Sequence, residues 1–142
     1  MRSTITSAAS ANTASSSRAL NIGLWVLQVL MAALFAWHGW FMVAPPPEMV
    51  ELINAQLGSG FRSFIGVAEL LAAIGLILPG LTRILPQLIP AAAAGLMIVM
   101  GSATVMHLVR GETGSAVFCA VVFVIVTAIA YARWKVQPIA PR

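Results

Sequence analysis

"GVAELLAAIGLILPG", residues 66–80, decides the fold, because every residue in it except Glu69 is uncharged and either small or apolar. With the apolar residues before it, the run approaches the length of about 20 residues that a bilayer crossing requires. It reads as a span from about Phe61 to Leu78, stopped at Pro79-Gly80, since proline removes a helical hydrogen bond and clashes with the preceding turn. An acid inside such a span costs about 2.5–3.5 kcal/mol on insertion scales and marks a functional candidate. It is expected to be paired, or to hold a proton because desolvation disfavours its charge.

The rest of the chain agrees with a membrane reading. Of its 142 residues, 60% are apolar and only 8% charged, whereas a soluble domain carries about a quarter charged residues. Mean hydropathy is +0.94. The net charge of +4 is scattered between apolar segments, which argues against a nucleic-acid surface and for topology signals. A single cysteine, Cys119, excludes both an internal disulfide and a CxxC pair. Its apolar setting, "AVFCAVVF", predicts a buried, inert thiol.

Three further runs reach spanning length. The first extends from about Leu20 to Ala44 and ends at "APPPE"; the third runs from about Gln87 to Val109, with Pro90 tolerated in its first turn; the fourth runs from about Ser115 to Trp134. The expected fold is an all-α, integral membrane four-helix bundle. Residues 1–18 read as a disordered tail, 19–135 as the membrane domain and 136–142 as a short C-terminal tail. The Ser/Thr/Ala-rich composition of residues 1–18 also suits a transit peptide. Between the first two spans, "EMVELINAQL" reads as an amphipathic helix lying on the membrane surface.

Loop charges set the expected direction. With a cytoplasmic N-terminus, the inside carries Arg2, Arg18, Arg83, Arg133, Lys135 and Arg142, and the outside only Arg62 and Arg110 with Glu48, Glu51 and Glu112. That bias places both termini in the cytoplasm and residues 45–60 and 110–114 outside. Trp37, Trp40 and Trp134 fall near span ends, as an aromatic belt requires. A bacterial plasma membrane is the expected location.

Steps of three and four residues put side chains on one helical face. Gln28, Met31, Phe35, His38 and Met42 form such a stripe; so do Arg62, Gly66, Glu69 and Ala73, and Met97, Met100, Thr104 and His107. At a rise of about 1.5 Å per residue, Glu69 lies about 12 Å, His38 about 9 Å and His107 about 4 Å from the outer ends of their helices. Side chains lean toward their own N-termini, which brings the three heads toward one layer in the outer half of the membrane. Glu69, His38 and His107 are therefore the expected catalytic residues. Arg62 is expected to cap the site, and Met31, Phe35, Met100 and Thr104 to line a ligand pocket.

Plainer roles compete with these. Both histidines suit interfacial bonds to headgroups, Arg62 a snorkelling anchor, and Gly66 close helix packing. Glu69 suits a structural tie between helices, the methionines core filling, and Val122 a lipid-facing position. Two histidines and a glutamate match a metal-ligand count. No HExxH or ExxH spacing supports one, however, and no metal is expected. The chain has no aspartate for a Ser/His/Asp triad.

The segments "ALFAWHGWFMV", "FIGVAELLAAIGLILP", "LTRILPQLIP" and "AAAAGLMIVMGSATVMHLVRGE" together resemble the DoxX-like family of small four-helix membrane proteins, over about residues 20–134. The resemblance implies a four-span bundle, with Glu69 at the acid of the second span and His107 at the end of the third. The family takes its name from a subunit of a thiosulfate:quinone oxidoreductase, which implies a redox-associated role. The expected function is thus a redox-associated subunit that binds a quinone-like or other lipophilic molecule in the outer half of the bundle. The alternatives are a non-catalytic assembly factor and a small membrane enzyme acting on a lipophilic substrate. Expected partners are the bilayer, a lipophilic molecule and a membrane or redox protein; a homo-oligomer is compatible with four short spans, and no nucleic acid is expected. The only cofactor suggested is a quinone-like ligand.

Overall fold

A computed structural model describes the backbone of residues 2–142 and the side chains of residues 16–142. Five α-helices follow one another, and no strand occurs among the described residues. Helix α1 spans Arg2–Val43, α2 Pro47–Leu57, α3 Ser59–Thr82, α4 Leu88–Val109 and α5 Thr113–Tyr131, which passes into a π-helical turn at Ala132–Val136. Four segments are long and apolar enough to cross a membrane: Ser16–Val43, Ser59–Thr82, Leu88–Val109 and Thr113–Val136. The chain is an all-α membrane protein of four spans.

Helix α1 runs unbroken through the expected start of the first span at about Leu20. The tail expected over residues 1–18 lies, up to residue 15, outside the residues described with their side chains. Beyond that point Ser17 is helical, and its hydroxyl accepts a bond of 2.9 Å from Gln137 Nε2. The C-terminal residues are also attached. Ile139 packs near Gly80, and the Arg142 amide donates to the Arg83 carbonyl at 3.2 Å.

The second span does not stop at Pro79. Both Pro79 and Gly80 are buried inside α3, which ends only where Arg83 turns to a positive φ of 58°. A proline this close to a helix end forfeits one backbone bond, and the final turn absorbs the loss. Gly80 packs closely under Trp25, since a Cβ there would lie 2.8 Å from the indole ring.

Around the bundle α1 packs along α3, α3 along α4 and α4 along α5, while α5 returns to α1 over a much thinner contact. Small residues bring the backbones together. A Cβ on Gly66 would sit 2.8 Å from the Gly39 carbonyl oxygen, and one on Gly75 would sit 2.8 Å from Ala92 Cβ. Such close approach is how membrane helices gain contact where lipid tails remove any hydrophobic drive between them. The core joins Met31, Phe35, Leu76, Leu96, Met100 and Val126 with their neighbours.

Val122 overturns its expected lipid-facing position. It is 3% exposed, on the same buried stripe of α5 as Ala116, Cys119, Val126 and Ile129. The lipid-facing side of α5 carries Val117, Val121 and Val124 instead. In a span that is apolar all round, hydrophobicity alone does not mark the inner face.

Helix α2 is the expected amphipathic segment, with Ile53 as its buried anchor. It is tied to the bundle through its last turn. Asn54 Oδ1 accepts from Arg62 Nε at 3.0 Å, and the Gln56 carbonyl accepts from Arg110 Nη2 at 3.1 Å.

Candidate functional site

Two glycines place the acid. Gly39 follows His38 on α1, and Gly66 precedes Glu69 by one turn on α3. Because these glycines let α1 and α3 touch backbone to backbone, the side chains just beyond the contact meet. His38 Nδ1 and Glu69 Oε2 share a hydrogen bond of 2.6 Å. The Glu69 side chain is 0% exposed, whereas that of His38 is 40% exposed.

The pair is asymmetric in a useful way. Glu69 Oε1 is buried without a hydrogen-bond partner among the described residues, and an unsatisfied buried oxygen costs about 1–3 kcal/mol. A proton lies between Oε2 and Nδ1, either on the imidazole as donor or on the carboxyl as donor. With a proton also on Nε2, moving the shared proton converts an imidazolium–carboxylate ion pair into a neutral imidazole and a neutral carboxyl. The imidazole has a second nitrogen, Nε2, for which no hydrogen bond is formed among the described residues. A proton entering at Nε2 can therefore leave at Nδ1, which is the relay property that suits histidine to proton transfer. The stacked rings of Trp37 and Phe41, with centroids 6.3 Å apart, lie together on one side of His38 along α1. Cys119 on α5 is buried, as its setting predicted.

His107 does not join this pair. Its Nδ1 bonds Glu112 Oε2 at 2.5 Å. The chain folds back after α4, with Gly111 at a φ of 72° and the Glu112 amide donating to the His107 carbonyl at 2.9 Å. That turn delivers a carboxylate to the imidazole from five residues away. Of the two expected histidines, the Glu69 carboxyl thus bonds His38 alone among the described residues.

Arg62 also sits elsewhere than expected. It donates to the carbonyls of Met42 and Val43 as well as to Asn54, and makes no bond to Glu69. These are orphan carbonyls at the C-terminal end of α1, where a cation also meets the negative end of the helix dipole. Arg62 is a buried cap that joins α1, α2 and α3.

The four expected pocket residues are core or self-satisfied. Met31, Phe35 and Met100 belong to the packed interior, and the Thr104 hydroxyl donates to the Met100 carbonyl of its own helix at 2.7 Å. An open apolar groove of about 340 Å³ is lined by Ile22, Trp25, Val26, Val29 and Leu30. It lies toward the other end of α1.

A second polar cluster was not anticipated. Arg133, read from the sequence as a loop charge, is 3% exposed. Its Nε donates to Gln28 Oε1 at 2.5 Å and its Nη1 to Asn21 Oδ1 at 2.8 Å. Gln28 in turn donates to the Leu76 carbonyl at 2.6 Å. The guanidinium stands 5.5 Å from the Trp25 ring centroid. The π-helical turn re-aims the last residues of α5 toward α1, a distortion often found at functional positions. Only Gln28, a polar residue on an otherwise apolar stripe, hinted at this cluster.

No group of three or more His, Cys, Asp or Glu residues gathers among the described residues in a way that would hold a metal ion. No curated protein and no solved structure matches the chain. The DoxX-like family matches residues 26–130, a stretch that includes most of all four spans, both members of the Glu69–His38 pair and His107. The four-span bundle built around that stretch belongs to the DoxX-like family.

Proposed function

We propose that the Glu69–His38 pair exchanges protons for a quinone-like lipophilic molecule, in a redox-associated membrane subunit. The observation that carries this reading is a fully buried carboxyl, one oxygen bonded to a part-exposed imidazole and the other without a partner. A purely structural tie has no need of an open side, yet His38 keeps one. Buried ionisable groups in a span are functional candidates on energetic grounds.

Since Met31, Phe35 and Met100 fill the interior, the ligand meets the site from the lipid at His38, with its ring against Trp37 and Phe41. Reduction of a quinone by two electrons takes up two protons, one at each oxygen. The His38 Nε2–H gives its proton to a quinone oxygen while Nδ1 receives the proton of Glu69, so the imidazole stays neutral overall. Glu69 is then reprotonated as Nδ1–H returns its proton to Oε2 while Nε2 takes one from water at the membrane interface, which restores the starting state of the pair. The second proton follows in a second cycle. The electrons come from a redox partner, and the pair handles protons alone. The site lies in the outer half of a bacterial plasma membrane, with both chain termini cytoplasmic.

Binding of a short-tailed ubiquinone, followed by quenching of tryptophan fluorescence, tests this reading. Glu69→Gln and His38→Gln are expected to weaken binding about tenfold or more, corresponding to about 1.4 kcal/mol, with the fold retained. If Glu69→Gln only lowers the unfolding temperature and leaves quinone affinity unchanged, Glu69 is a structural tie and the reading fails.

A further inference from the structure

We infer that the buried Arg133 guanidinium is the headgroup site for an anionic phospholipid, in the leaflet that faces the two chain termini. The starting point is a charge without a counter-ion. The chain has four acids, Glu48, Glu51, Glu69 and Glu112. Three of them flank the Pro47 end of α2 or the turn between α4 and α5, and Glu69 is bonded to His38. None lies at the end of the bundle where α1 begins and α5 ends. Arg133 is 3% exposed there and forms no salt bridge among the described residues.

Its hydrogen bonding is also incomplete. Nε is used by Gln28 and Nη1 by Asn21 and by the Gln137 carbonyl at 3.2 Å. Nη2 is buried with no partner. All the acceptors are neutral, so a full positive charge is held in a low-dielectric setting by dipoles alone. The cost of a buried charge falls when an anion completes the shell. An arginine fork with a free end suits a phosphate, which it can grip through two parallel bonds.

The surroundings select a lipid over a free ion. Trp25, the aromatic ring beside the guanidinium, is also a wall of the apolar groove formed with Ile22, Val26, Val29 and Leu30. A phosphate at Arg133 thus has a ready apolar channel for an acyl chain running along α1. The exposed cations Arg18, Arg83, Lys135 and Arg142 surround the same end and attract anionic headgroups by about 1 kcal/mol each near the surface.

The cover over the site is light. From Gln137 onward the chain has no regular secondary structure, and it is held by the Gln137–Ser17 bond, the packing of Ile139 against the core and the Arg142–Arg83 backbone bond. Lifting this segment releases the Gln137 carbonyl from Nη1. Nη1 and Nη2, the two tips of the fork, are then both available to a phosphate.

The test is thermal unfolding of the full chain in a neutral detergent, with added phosphatidylglycerol, phosphatidylcholine or inorganic phosphate. Phosphatidylglycerol is expected to raise the midpoint by several degrees, and the other two to leave it in place. Asn21→Asp puts a carboxylate where Arg133 Nη1 already finds an acceptor, leaving the exposed cations unchanged. It is expected to raise the midpoint without lipid and to cut the phosphatidylglycerol increment by at least half. Arg133→Gln, if it folds, is expected to lose the increment entirely. An equal shift with phosphatidylcholine would overturn the inference, as would one with inorganic phosphate. So would no shift at all, or a full increment retained in Asn21→Asp, which would assign the effect to the surface cations.

Discussion

Gly39 and Gly66 touch backbone to backbone, so closely that a Cβ on either would lie 2.8 Å from the carbonyl oxygen of the other. This contact fixes the distance between α1 and α3 and, one residue and one turn away, brings His38 to Glu69. Separation below about 3 Å leaves no room for a methyl group, and the obstructing atoms are backbone. Gly39→Ala and Gly66→Ala are therefore expected to destabilise the bundle by about 1–3 kcal/mol each, the usual cost of overpacking. Unfolding in mixed micelles measures this. Gly95 is the control, because a Cβ there meets nothing within 4 Å; equal tolerance at Gly95 and Gly66 would contradict the crossing.

The orientation of α5 makes a similar contrast. Val122 is 3% exposed and Val124 is 64% exposed, two residues apart on one helix. Val122→Phe is expected to cost about 1–3 kcal/mol by overfilling the core, and Val124→Phe close to nothing. The same unfolding measurement checks both, and a reversed order would mean that α5 is rotated.

The architecture was legible because four apolar runs and their breakers are long, strong signals. The inner stripe of α1 was legible too: Gln28, Met31, Phe35 and Met42 are all buried. Glu69 announced itself as a lone acid among apolar residues. What was hidden depends on neighbours that periodicity does not report. The partner of His107 is set by a turn through Gly111, whose positive φ sends Glu112 back onto the ring. Arg133 looked like a loop charge beside Lys135, and its burial follows from the π-helical turn and from Gln28, 105 residues away. Gly39 passed unnoticed because "WHGWF" gives no sign of what crosses it. The inner face of α5 was unreadable because all its faces are apolar.

Topology is open to direct labelling. In a Cys119→Ser background, Ser59→Cys is expected to react with a membrane-impermeant maleimide added to intact cells, and Ser16→Cys only after lysis; both positions are exposed. The native Cys119, 7% exposed, is expected to stay unlabelled in the folded protein. Labelling of Ser16→Cys from outside would invert the bundle and move the Glu69–His38 pair to the cytoplasmic half.

That Glu69 exchanges its proton through His38 is tested most directly by infrared spectroscopy of the protein reconstituted in lipid. The Glu69 carboxyl band is identified by its absence in Glu69→Gln, and its shift is timed after transfer from H2O to D2O. Exchange is expected to be fast in the wild type and in His107→Gln, whose ring is bonded to Glu112, and slow in His38→Phe. Equal exchange rates in His38→Phe and the wild type would contradict the relay.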